Sequence, residues 1–196
     1  MIKRPANPPR DTAIVMRSVL LALIPGIVTM TIFFGPGILF NLVTAVLTAV
    51  AAEALCVSLR GRALKPRLRD LSAALTGVLI ALSLPQAAPW WLTVAASGSS
   101  IILGKHLYGG LGQNPVNPAM LGYALMLISA PVAMTTLWIN PLTTPGFGAA
   151  WLAYVGQAND ALTGATVLDL YRTEFLSLTA IEASDHPLFT NAHLGL

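Results

Sequence analysis

Three places in the chain carry residue types that do chemistry. The first is Glu53, a carboxyl inside an apolar run. A carboxyl at membrane depth is costly to bury and reads by default as ion or proton handling. The structural alternatives are a partner helix, a protonated acid, or hydration near the interface. The second is Lys105-His-Leu-Tyr-Gly-Gly-Leu-Gly-Gln-Asn-Pro-Val-Asn-Pro118. Its three glycines within four residues let a backbone approach a ligand closely. Gln113, Asn114 and Asn117 offer paired donors and acceptors, of the kind that hold the edge of an isoalloxazine or a similar ring. Lys105 and His106 by themselves read as interface residues, and one histidine is no metal site. The third is Asp160-Ala-Leu-Thr-Gly-Ala-Thr-Val-Leu-Asp169, a small-residue segment leading into a helix expected over 167–181. From chemistry alone Thr163 is a candidate cap for that helix.

The elements that must position these residues belong to a membrane. Of 196 residues, 55% are hydrophobic and 10% charged, against about 25% charged in a soluble domain. The single cysteine, Cys56, excludes an internal disulfide. Charge-free runs of 35, 34 and 54 residues separate Arg17 from Glu53, Asp70 from Lys105 and Lys105 from Asp160. Each is too long for one span of about 20 residues. Gly35-Pro36-Gly37 divides the first run, and Pro85 and Pro89 divide the second. The predicted membrane segments are therefore 13–34, 38–59, 71–84, 90–105 and 119–138, with Pro141 and Pro145 closing the last. The third and fourth are short for a hydrocarbon core of about 30 Å, so they either tilt or form a re-entrant pair. No signal peptide is evident, because the first apolar segment lacks a small-residue cleavage site.

Charge sets the expected orientation. Residues 1–110 hold ten basic and three acidic residues, a balance of +7; the rest hold one and five, a balance of −4. Basic loops stay cytoplasmic, so the N-terminus, the 60–69 loop and Lys105 are expected inside. Five spans then leave everything beyond residue 139 outside, with Trp90, Trp91 and Trp138 at the outer interface. The basic loop is explained by topology and anionic lipid, without nucleic acid. Two regions follow: a five-helix membrane repeat over 1–138 and an extracytoplasmic loop over 139–196, where Asn140, Pro141, Pro145, Gly146 and Gly148 read as loop.

Separated strings share an order with a known family. They are Ala51-Ala-Glu-Ala-Leu55, Asp70-Leu-Ser-Ala-Ala-Leu-Thr-Gly77, Ala88-Pro-Trp-Trp91, Leu107 to Ala119, and Asp160 to Asp169. On these the chain resembles the D subunits of Rnf electron-transport complexes, relatives of the B subunits of sodium-translocating NADH:quinone reductases. The Gly-Gln-Asn-Pro-x-Asn-Pro-Ala string at 112–119 is the most specific piece. A long N-terminal extension marks the quinone-reductase relatives, so the Rnf side is the expectation here.

The resemblance implies FMN joined by a phosphoester to a threonine. The family's signal is Asp-x-x-Ser/Thr-Gly-Ala-Thr, matched here by Asp160, Thr163, Gly164, Ala165 and Thr166, with Thr166 as acceptor. Ala161 stands where glycine is frequent, a mild departure. A flavin transferase with bound metal would direct the hydroxyl at the pyrophosphate of FAD and release AMP. The resemblance also leaves room for a second, non-covalent flavin. It implies two inverted five-helix repeats, of which these residues supply one and its outer loop, so a second repeat is expected beyond them. The chain shows no cysteine cluster for iron and no dinucleotide fingerprint, so ferredoxin and NAD would bind other subunits. The expectation is an inner-membrane, FMN-carrying subunit of an ion-translocating ferredoxin:NAD complex, working with other membrane and peripheral subunits. The rivals are half of a transporter and a non-redox assembly subunit.

Overall fold

Lipid cannot hydrogen-bond to a backbone, so apolar segments of this kind must satisfy their polar groups internally, as helices. The computed structural model describes residues 12–61, 64, 68–108, 114–141 and 144–157, and among these there is no strand. In chain order the helices are α1 (Thr12–Phe34), α2 (Gly37–Leu59), α3 (Ser72–Ser83), α4 (Trp90–Ser99), α5 (Pro118–Ser129), α6 (Pro131–Thr136) and α7 (Phe147–Tyr154). A π-helical turn, Ser100–His106, continues α4 without a break. Asp160, Thr163, Gly164, Ala165, Thr166, Gln113 and the helix expected over 167–181 lie outside the described residues.

By length and composition, α1 and α2 suffice to cross a membrane. Each has 23 residues, about 34 Å of helix at 1.5 Å per residue. α1 buries none of its residues and α2 buries a stripe that includes Asn41, Ala45, Ala49, Glu53 and Val57. α2 is thus the axis, with α3 and α4 packed along it. The alanines in its stripe let α3 come close. A Cβ on Gly77 of α3 would lie 2.8 Å from the Ala45 carbonyl oxygen and from Val46 Cα. Close backbone approach through small residues is how helices gain contact in lipid, where the hydrophobic effect offers nothing between them. Gly122 repeats the device between α5 and α4, its Cβ position being 2.5 Å from the Ala96 carbonyl oxygen.

The two ends of the bundle are held by different means. At one end Asn41, fully buried, donates from Nδ2 to the Pro85 carbonyl at 3.1 Å and accepts from Thr93 Oγ1 at 3.0 Å. Gln86 Oε1 accepts from the Ile139 amide at 3.3 Å. These bonds pin the turn between α3 and α4 against the start of α2. α7 sits at this same end: Phe40 of α2 makes edge contacts with Phe147 and Trp151, and Thr44 and Tyr154 share a hydroxyl hydrogen bond. The other end gathers the last turns of α2, the start of α3, the π turn and the start of α5.

Four of the five predicted segments coincide with helices to within a residue or two. The fifth does not run through. Ala130 is non-helical, at φ −135° and ψ 59°, and the chain restarts at Pro131. Pro131 has no N–H to continue the α5 ladder, and its ring disfavours helical geometry at Ala130. α7 is a second difference, because the loop expected from Gly146 and Gly148 ends at Phe147. Phe147, Trp151 and Tyr154 recur at helical spacing and set their rings against Phe40 of α2, while Ala150 and Ala153 are buried, contacts that outweigh the glycine.

Candidate functional site

The candidate site is built where α2, α3 and the π turn meet. Doublets of buried residues on α4 and its extension, Leu92-Thr93, Ala96-Ser97, Ser100-Ile101 and Gly104-Lys105, recur every four residues. In an α-helix a four-residue step overshoots a full turn by about 40°, so three steps would swing the face by about 120°. The wider π turn rotates less per residue and takes that drift back. The Leu107 amide donates to the Ile102 carbonyl at 3.0 Å, the five-residue bond that defines such a turn. Without it, Lys105 would not face α2.

What faces α2 is a charge. Lys105 Nζ lies 2.5 Å from Glu53 Oε2, and the two are 2% and 1% exposed. Lys105 Nζ also donates to Ser72 Oγ at 2.7 Å, and Ser72 Oγ donates to Asp70 Oδ1 at 2.6 Å. Asp70 Oδ1 accepts the Ser72 amide as well, at 2.9 Å. That bond supports Leu71 in the left-handed region (φ 59°), a conformation that costs a non-glycine residue about 1–2 kcal/mol. His106 closes the other side: its Nε2 is 3.7 Å from Glu53 Oε1, and neither ring nitrogen has a hydrogen-bond partner. Arg60 donates to the His106 carbonyl at 2.5 Å, satisfying an acceptor at the end of the π turn. One buried carboxylate, one buried ammonium and one buried imidazole thus meet within a polar cluster at one end of the bundle.

This departs from the sequence expectation in one respect. Glu53 does sit inside the fold, but Lys105 and His106 are core residues of the same cluster, not interface residues. No local pattern marks this, because the π turn aims Lys105 and its partners come from α2 and the start of α3.

The amides give a mixed result. Asn117 caps α5: its Oδ1 accepts the Ala119 amide at 3.0 Å, with Pro118 in the first turn. A structural duty therefore accounts for part of the Asn-Pro-Val-Asn-Pro string. Asn117 also borders a groove of about 480 Å³ between α3 and α5, with Leu79, Ser83, Met120, Tyr123 and Leu127. That volume is within the range of about 300–1,000 Å³ seen for small-molecule sites. The structure brings Asn117 to the groove and keeps Glu53 apart from it, in the polar cluster.

Among the described residues no three His, Cys, Asp or Glu side chains gather as a metal site. A family model described as NQR2, RnfD, RnfE family matches residues 6–195. The chain is similar to the D subunit of the ion-translocating oxidoreductase complex of Marinobacter nauticus, 49% identical over 188 residues, covering 92% of this chain and 53% of the relative. It is 45% identical to the protein of that name from Pseudomonas paraeruginosa, over 99% of this chain and 57% of the relative. It is 41% identical to the one from Salmonella arizonae, over 95% and 58%. The chain spans little more than half the length of these curated relatives.

Proposed function

The chain belongs to the NQR2, RnfD, RnfE family, and from that premise we propose that it is the membrane-embedded, electron-carrying part of an ion-translocating oxidoreductase of the Rnf type. The proposed donor and acceptor of the whole complex are reduced ferredoxin and NAD, bound by partner subunits. FMN is proposed to be esterified through its phosphate to Thr166, with Asp160, Thr163, Gly164 and Ala165 as the context a flavin transferase reads. Such a group supplies one-electron and two-electron chemistry when bound. Gln113, Asn114 and Asn117 are proposed to border a flavin, covalent or not.

The observation that carries the reading is the Asp-x-x-Thr-Gly-Ala-Thr string inside the matched stretch 6–195. Two facts support an extracytoplasmic position for it in a bacterial inner membrane. Basic residues crowd the loop after Arg60, which favours that end of the bundle as cytoplasmic. α7, which ends six residues before Asp160, packs against the opposite end of α2. On this reading 1–138 is the membrane repeat with five spans, and 139–196 begins outside.

The test is in-gel flavin fluorescence. The chain is co-expressed with a flavin transferase, denatured, and run beside Thr166→Ala. Fluorescence that survives denaturation in the parent and vanishes in the variant is the expected result. A dark parent, with the transferase active on another acceptor, removes the covalent carrier. The short α3 and α5 and the buried Glu53 favour transport through a half-repeat as the second reading. Solute uptake by vesicles containing a dark parent would support it.

A further inference from the structure

α7 has two apolar faces, and the bundle uses only one. Ala150 and Ala153 are buried: a Cβ on Gly37 of α2 would lie 4.0 Å from that of Ala150, and Ala153 clusters with Ala87 and Ile139. The opposite face carries Phe147, Gly148, Trp151, Leu152 and Val155, all exposed, with Phe147 at 67% and Trp151 at 46%. Positions 147, 148, 151 and 152 form one patch, because residues four apart on a helix are neighbours. A Cβ placed on Gly148 meets nothing within 4 Å, so the patch has an open notch between larger side chains. Phe40 of α2 braces both rings, at centroid distances of 5.3 and 5.4 Å and interplanar angles of 68° and 72°. Steep contacts of that kind fix the orientation of the rings.

Two features say what covers this face. Residues 144–157 carry no charge. A helix that lies on a lipid surface keeps Lys and Arg to meet headgroups, and α7 has neither. The chain also leads from α7 to Thr166, nine residues beyond Gln157, a distance of at most about 32 Å. The eight residues of α7 are about 12 Å long, so all of the exposed face is within reach of a group on Thr166. A short tether raises the local concentration of what it carries to on the order of millimolar, so stacking too weak to hold a free flavin suffices.

We propose that this face of α7 docks the isoalloxazine of an FMN carried on Thr166, with Trp151 and Phe147 against its plane and Gly148 leaving the space it enters. The proposal rests on the reading of Thr166 as the acceptor. Docking makes no covalent bond and moves no electron; it takes aromatic surface out of water and holds the ring at one end of α2.

The experiment uses the full chain, co-expressed with a flavin transferase and held in lipid nanodiscs. Flavin emission and its polarisation are read in the native protein and again after denaturation in SDS. Denatured emission reports attachment. Native emission reports docking, because an indole in contact with a flavin quenches it. The parent is expected to emit several-fold less when native than when denatured, with high polarisation. Trp151→Leu and Gly148→Leu are expected to raise native emission several-fold and lower its polarisation, with denatured emission unchanged. Gly148→Leu fills the notch while its Cβ meets no neighbour, so it carries the test if loss of Trp151 unsettles α7. Trp151→Phe keeps a flat ring without the quencher, so emission rises while polarisation stays at the parent's value. A parent dark after denaturation removes the acceptor, and the dock with it. A parent bright after denaturation, whose native emission and polarisation are the same in Trp151→Leu and Gly148→Leu, overturns the dock alone and leaves this face to lipid or to a second copy.

Discussion

Replacing Lys105 by Met keeps most of the side-chain length and removes the ammonium. Glu53, 1% exposed, then has no partner for Oε2, and Ser72 loses the donor 2.7 Å away. Removing one member of a buried ion pair costs about 3–5 kcal/mol, chiefly from the charge left behind. Glu53→Gln leaves the ammonium buried without its counter-charge and falls in the same range. The double variant removes both charges together. A neutral, similarly shaped replacement of a buried pair is often tolerated, so it is expected to be more stable than either single variant. The signature is a coupling energy of at least about 2 kcal/mol between two residues 52 apart in sequence. A difference of about 2.7 kcal/mol is a hundredfold change in the unfolding equilibrium. The assay is unfolding of the full chain by SDS in mixed micelles, read by tryptophan fluorescence, with all four variants compared at equal slope. Costs that simply add in the double variant would refute the claim that the pair is a coupled, desolvated unit.

Other positions give sharp expectations. Gly77→Ala places a methyl 2.8 Å from the backbone of α2, which cannot yield as a side chain would, and is expected to lose about 1–3 kcal/mol in the same titration; Gly26→Ala, with nothing within 4 Å, is the neutral control for steric clash. Asn41→Leu orphans the Pro85 carbonyl and the Thr93 hydroxyl in a dry site. It is expected to cost about 1–3 kcal/mol and to speed proteolysis of the 85–89 turn. Asn117→Ala removes the cap of α5 for about 1 kcal/mol, while Asn117→Asp retains an acceptor and should leave the thermal midpoint nearly unchanged. Equal losses in both variants would show that the amide does something other than cap.

The sequence made the long helices legible because lipid permits few alternatives. A charge-free run divided at Gly35-Pro36-Gly37 has no reading other than two helices, and α1 and α2 end and begin there. α3 and α4 were legible for the same reason, with Pro85 and Pro89 between them. Pro131 was equally visible and was passed over, because the apolar run continues through it to Trp138. α7 was hidden by Pro145, Gly146 and Gly148, which mark a loop when only local residues are weighed. Its helix is held by aromatic contacts with Phe40, more than a hundred residues earlier, which no local pattern contains.

The polar cluster was hidden for a different reason, which bears on what it is for. A lysine beside a histidine and a run of glycines reads as the end of a membrane segment, where long cations reach for water. Reversing that reading takes three things at once: a π turn that re-aims position 105, a carboxylate on α2 at the matching depth, and Ser72 and Asp70 holding the ammonium from behind. None of the three is needed to build the bundle, since a leucine at each of the two charged positions would pack the same helices at lower desolvation cost. A fold that keeps a π turn and a strained Leu71 while burying Glu53 against Lys105 is holding those two charges in a defined relation. Among the described residues of that set, His106 is the one whose side-chain nitrogens have no hydrogen-bond partner, and burial pushes its imidazole below the usual histidine range.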